Sequence, residues 1–281
     1  MRKIIIPTDF SENAMNAIQF AVELFKYERS EFLLVHAYAD EVYDHDTLVS
    51  REVFGKLKAS VLKYSDTELE NILDQIQKIS PNPKHQYKKL SAFGTLVDEI
   101  NDLVDLENID IVVMGTRGKT DDRTLTFGSN TLQVLKYIKC PVLAIPATCR
   151  YKQPTHILFP TDYRFPYKRR ELKLVNTMAQ SFRSTITTMY LSNFTTLSIR
   201  QEDNKAFLTA CLPDATLAFK TLSANDLTTA INEYVLNHSI DMLVMINSRH
   251  SYVENMLYQS TIDKIGLHIT IPFLILQNLN R

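Results

Sequence analysis

Three of the six glycines in this 281-residue chain, Gly115, Gly118 and Gly128, fall in one 14-residue window, although average usage would spread roughly twenty along it. The window opens after an apolar run, Asp110-Ile-Val-Val-Met114, that reads as a buried strand. It closes at Ser129, where a helical pattern begins and runs to about Lys139. Glycine between a strand end and a helix start lets backbone amides approach an anion, and the helix N-terminus adds positive potential. The chemistry expected there is phosphate binding. A second set of polar residues, Pro7-Thr8-Asp9, follows the first apolar run and would sit at the mouth of a parallel sheet, where a carboxylate can accept hydrogen bonds from a ribose or a base. The same aspartate could instead serve the helix that begins near Ser11.

Other chemistries fit poorly. Gly118-Lys119-Thr120 resembles the end of a P-loop, but Gly115 precedes Gly118 by three residues where that loop needs five, and Asp121-Asp122 follow where a helix should start. No GxGxxG follows the first strand, and the seven histidines include no HExxH. His36 reads as core or pocket lining. Arg249-His250-Ser251-Tyr252 could form an anion or partner site, but reads first as a solvated loop. The three cysteines, Cys140, Cys149 and Cys211, are odd in number and lack CxxC spacing, so reduced thiols are expected.

The elements that must hold these residues come in two copies. Lys3-Ile-Ile-Ile-Pro7-Thr8-Asp9-Phe10 recurs as His156-Ile-Leu-Phe-Pro160-Thr161-Asp162-Tyr163, an offset of 153. Ile109-Asp-Ile-Val-Val-Met114 recurs as Ile240-Asp-Met-Leu-Val-Met245, an offset of 131, and the same 131 carries Cys140-Pro141-Val-Leu-Ala-Ile145 onto Ile271-Pro272-Phe-Leu-Ile-Leu276. Two ordered offsets mean a duplicated unit, shortened by 22 residues between the second and third strands of the second copy. Apolar β-branched runs alternate with amphipathic stretches, which implies βαβ units and a parallel sheet. Strands are predicted near 3–8, 31–37, 85–91, 110–115 and 142–146, with helices near 11–26, 52–79, 95–107 and 129–139. The second copy gives strands near 155–161, 185–191, 215–221, 240–246 and 273–277. Ser11 and Thr95 are the predicted N-caps. The domains are therefore placed at 1–147 and 155–281, with a polar linker, 148–154, ending in Pro154.

Each copy is a control for the other. At offset 131, Gly115, Gly118 and Gly128 meet Ile246, Arg249 and Gln259. Two of these cannot easily take positive φ, and all three put side chains where a phosphate needs bare backbone. The first copy is expected to bind a phosphate chain, and the second not in the same way.

Gly115, Gly118, Gly128 and Ser129 fit G-x2-G-x9-G-(S/T), the signature of the universal stress protein family. With Ile-Ile-Ile-Pro-Thr-Asp-Phe-Ser-Glu at the start, His36-Ala37 ending the second strand and Cys140-Pro141-Val-Leu before the last, the chain resembles a tandem member of it. The resemblance implies two tandem doubly wound α/β domains. Each is a five-stranded parallel sheet with helices on both faces, Rossmann-like and similar to the adenine nucleotide alpha hydrolases. It also implies ATP as ligand. Pro7, Thr8 and Asp9 would meet the adenosine and the backbone near Ala37 the adenine. Met114, Gly115, Thr116, Gly118 and Lys119 would line ribose and phosphates, and Gly128, Ser129, Asn130 and Thr131 would hold the β- and γ-phosphates. Asn130 departs from the small apolar residue common in the family there. A Mg or Mn ion would bridge the phosphates. The family pairs domains through the last strand, here Val142–Ile145 and Phe273–Leu276, which implies an intramolecular pseudo-dimer and leaves a homodimer open.

Thirty-one basic and thirty-two acidic residues nearly cancel, so no global field favours nucleic acid or a membrane surface. No apolar run approaches 18 residues, and a cytoplasmic protein is expected. The leading expectation is a regulatory ATP-binding module in stress response. The rivals are slow ATP hydrolysis or phosphoryl transfer, for which Asp121, Asp122 and Arg123 are candidate groups, and a ligand-free scaffold or chaperone-like protein.

Overall fold

Alternation of β-branched runs with amphipathic stretches builds one continuous sheet. The structure is a computed structural model that describes residues 1–44, 50–118, 127–192, 196–223, 226–248, 253 and 270–278. The first half contributes β1 (Arg2–Pro7), β2 (Ser30–Ala37), β3 (His85–Ala92), β4 (Ile111–Gly115) and β5 (Val142–Ile145). The second contributes β6 (His156–Pro160), β7 (Thr185–Leu191), β8 (Thr216–Leu222), β9 (Met242–Asn247) and β10 (Phe273–Gln277). The order is β3-β2-β1-β4-β5-β10-β9-β6-β7-β8. Every pairing within a half is parallel, and the halves meet through β5 and β10, which run antiparallel with Leu143 opposite Leu274. Each half is thus doubly wound, and the direction of winding reverses between β1 and β4 and again between β6 and β9.

Pleating sends alternate strand residues to opposite faces. Ile4, Ile6, Ile111 and Val113 enter one core with Ile18 and Phe20 of α1 (Glu12–Leu24), Leu69 and Ile72 of α3 (Arg51–Ile79), Leu172 and Val175 of α6 (Arg169–Phe182) and Leu208 of α7 (Ile199–Cys211). Ile5, Val112 and Met114 enter the other, with Ile100 and Val104 of α4 (Leu96–Glu107), Val134 and Leu135 of α5 (Ser129–Tyr137) and Ile231 of α8 (Leu227–Asn237). Both cores run through both halves. A short α2 (Ala39–Tyr43) follows β2. The predicted N-caps hold: Ser11 accepts from the Ala14 amide and Thr95 from the Asp98 amide. Most of the shortening of the second copy falls on one helix, since α3 has 29 residues and its counterpart α7 has 13, and the rest falls on the connection before it.

Features kept in both copies do structural work in both. Asp110 Oδ2 accepts from the Lys3 amide at 2.9 Å, and Asp241 Oδ2 accepts from the His156 amide at 2.9 Å, so each aspartate ties the start of β4 or β9 to its neighbour strand. The segment read as a linker is tethered. Asn16 of α1 donates to Cys149 O at 2.9 Å and accepts from Arg150 at 2.7 Å, while Tyr151 packs its ring edge-on against Phe20. All three cysteines are free thiols, and burial pushes the Cys140 thiol up to about 12. No described helix is long and apolar enough to cross a membrane.

Candidate functional site

The Pro-Thr-Asp element turns the chain from β1 into α1. Thr8 Oγ1 accepts from the Phe10 amide at 3.0 Å and Asp9 Oδ1 from the Ser11 amide at 3.1 Å, which holds Phe10 in the left-handed region at φ 63°. The second copy repeats this turn: Thr161 accepts from Tyr163, Asp162 from Arg164, and Tyr163 sits at φ 56°. The helix cap is Ser11, so Asp9 serves the turn with one carboxylate oxygen. Its other oxygen, Oδ2, points toward Gly118 across the winding switch.

That approach explains the glycine. A Cβ on Gly118 would lie 2.7 Å from Asp9 Oδ2, and one on Gly115 would lie 3.2 Å from the Asn13 carbonyl. No described glycine has positive φ, so the difficulty that two of the second-copy residues would have with positive φ does not account for the contrast. At Gly115 and Gly118 a side chain would crowd its neighbours. Gly128, at φ −70° and ψ 163°, is the N-cap of α5 and has ordinary space around it. Its amide donates to Thr116 O at 2.8 Å, which closes the loop, and Thr131 Oγ1 donates to Gly115 O at 3.0 Å, which fixes the first turn of α5 to the end of β4. No side chain caps α5 and its first turn carries no acidic residue. The helix end therefore offers amides to an anion.

These elements enclose an open cleft of about 720 Å³, part of it continuous with solvent, at the C-terminal ends of β1 and β4. Nine of the predicted residues line it: Pro7, Thr8, Asp9, Ala37, Met114, Gly115, Gly118, Asn130 and Thr131. Thr116 is buried behind the wall, with its amide donating to Ile145 O, while Gly128 and Ser129 form the turn into α5. Lys119, Asp121, Asp122 and Arg123 lie outside the described residues, as does Arg249-His250-Ser251-Tyr252.

Five further residues that the sequence did not single out line the cleft: Ala14, Asp40, Glu41, Leu96 and Arg117. Arg117 stands inside the glycine signature and was legible as a cation beside bare backbone. Asp40 and Glu41 come from α2, which only the fold swings over the cleft. His36 lines the cleft as expected. Its Nδ1 lies 2.9 Å from Ser65 Oγ and its Nε2 3.2 Å from Glu41 Oε1, and the Phe10 ring packs 4.4 Å from it. No group of three or more His, Cys, Asp or Glu suited to a metal ion occurs among the described residues.

The equivalent cleft of the second half has a different lining. Pro160, Thr161 and Asp162 recur, but Phe165, Tyr167, Met189, Met245 and Ile246 make most of the wall, and Tyr167 Oη lies 2.7 Å from Thr161 Oγ1. Ile246 stands where the first half has Gly115.

Comparison with known proteins agrees with this architecture. The family model described as universal stress protein matches residues 1–146. A universal stress protein of Methanocaldococcus jannaschii is 28% identical over 157 residues, covering 51% of this chain and 94% of that protein. A second from the same organism is 29% identical over 146 residues, covering 51% and 81%. The solved structure of a universal stress protein from Archaeoglobus fulgidus aligns with 98% of this chain and 96% of its own, with a TM-score of 0.65 at 14% identity, which bears on the fold alone. With the family match spanning more than half of the chain and that fold likeness running its whole length, the chain belongs to the universal stress protein family.

Proposed function

We propose that the chain is a nucleotide-binding regulatory module of the stress response that holds one ATP, in the cleft of its first half. The observation that carries this is the convergence, at the β1/β4 switch, of a carboxylate oxygen, a side-chain-free backbone at Gly118 and a helix start with no side-chain cap. Asp9 Oδ2 suits the ribose hydroxyls as acceptor. The α5 amides and Arg117 suit phosphate oxygens, with Lys119 added from the signature. Asp40 and Glu41, beside Ala37, offer acceptors to the exocyclic amine of an adenine. A Mg or Mn ion carried on the phosphates would offset the carboxylates around them. The second half, with Ile246 in its cleft, takes no phosphate chain in this way. Residues 1–147 and 155–281 act as two domains paired through β5 and β10 as a pseudo-dimer within one chain, in the cytoplasm.

The test is stoichiometric. Purified protein, denatured and examined by mass spectrometry for retained nucleotide, should release ATP, and calorimetric titration of nucleotide-free protein with ATP and magnesium should give one site per chain. Two equal sites would overturn the assignment to one half. No binding would leave the scaffold reading in its place.

A further inference from the structure

The second half lacks the glycine window, yet it grips the helix on which the phosphate reading depends. Helix α5 ends at Tyr137, and the Lys139 amide, which would otherwise bond Leu135 O, donates to Asn101 Oδ1 at 3.1 Å. Leu135 O accepts instead from two side chains of the second half, Gln277 Nε2 at 2.9 Å and Asn247 Nδ2 at 3.4 Å, and Asn247 Nδ2 also donates to Gln277 Oε1 at 2.9 Å. A carbonyl only accepts, so both amides must present their NH2 groups to it. Leu135 is 0% exposed, Gln277 1% and Asn247 3%, so no water can replace these donors cheaply. At the other end of the same helix, Phe127, just before the N-cap, packs 6.1 Å from Phe273 of β10. Strand β10 therefore contacts α5 at both ends. The repeat places Thr116 and Pro146 opposite Asn247 and Gln277, and neither carries an amide side chain, so the first half has no equivalent pair at these positions.

We propose that Asn247 and Gln277 are positioning residues for the phosphate site of the first half. They fix the C-terminal end of α5 about 9 Å along the axis from its first turn, six residues at roughly 1.5 Å each. The second half thereby supplies the rigidity of a site it does not itself contain. This rests on the reading that the α5 N-terminus meets phosphate.

The experiment uses full-length Gln277→Met and Asn247→Leu, with Asn247→Ser as a milder change and Ile186→Val as a control that loosens the second half away from α5. Hydrogen exchange of the α5 amides in nucleotide-free protein should quicken about tenfold in the clamp variants, with α4 unchanged. ATP affinity should fall about fivefold while adenosine affinity stays at the wild-type value. Wild-type exchange in α5, or equal losses for ATP and adenosine matching those of Ile186→Val, would overturn the proposal. If the wild-type protein binds neither ligand, the nucleotide reading fails, and α5 exchange still decides whether the clamp positions the helix.

Discussion

Gly118→Ala is the sharpest probe of the cleft. The added Cβ would sit 2.7 Å from Asp9 Oδ2 and 3.7 Å from Asp9 Cγ. The first distance falls short of ordinary contact by about 0.7 Å, too much for a hard core to absorb. The neighbour is a short side chain whose Oδ1 is already held by the Ser11 amide at 3.1 Å, so relief means rotating the carboxylate and giving up that bond. The fold should lose about 1 kcal/mol, one neutral-strength hydrogen bond, and for a chain of this size about 2–4 °C in Tm. Binding should lose more. If Asp9 meets the ribose as proposed, moving it takes a charged acceptor away, about 1.5–3 kcal/mol, or roughly ten- to a hundredfold in the ATP dissociation constant. Differential scanning calorimetry and isothermal titration of one preparation read both numbers. ATP affinity within twofold of wild type in the folded variant would refute the role given to the Asp9 and Gly118 wall.

Two further outcomes follow from neighbouring features. Gly128→Ser puts a good N-cap at φ −70° and ψ 163°, where the new hydroxyl can take an amide of the first turn of α5. Thermal stability should hold or rise slightly while ATP affinity falls, and unchanged affinity by titration would mean that those amides do not meet phosphate. Asp241→Asn tests the strand tie of the second half. Burial pushes that carboxyl up, but the Lys152 ammonium, the Thr155 hydroxyl and the His156 amide outweigh it and hold it below the usual carboxylate range. A lowered native value stabilises the fold above the unfolded value of about 3.9 and is lost as pH falls through the native one. Urea unfolding should show the variant about 1–3 kcal/mol weaker at pH 7 and near parity with wild type at the acid end, and a gap independent of pH would contradict the ion pair.

The glycine window was legible as an anion site because it breaks composition locally, and the repeat was legible because two offsets align apolar runs in order. Ser11 and Thr95 announced their helices for the same local reason: a cap acts on amides three residues away. Arg117 was visible but unweighted. Asp40 and Glu41 had no signal, since nothing in a five-residue helix says which cleft it will overhang.

The alternation of strand and helix, the duplication and the asymmetry that puts Ile246 opposite Gly115 are all readable along the chain. These are properties of short windows, where period, capping and residue size act within a few residues. The three-dimensional structure adds why a side chain at Gly118 would displace Asp9 and how the two halves depend on each other. The first needs Asp9 brought across the winding switch, and the second needs Gln277 brought to Leu135 through the antiparallel meeting of β5 and β10. Both are contacts between residues more than a hundred positions apart, and their geometry is set by the order and register of the strands in the sheet, which no local pattern encodes.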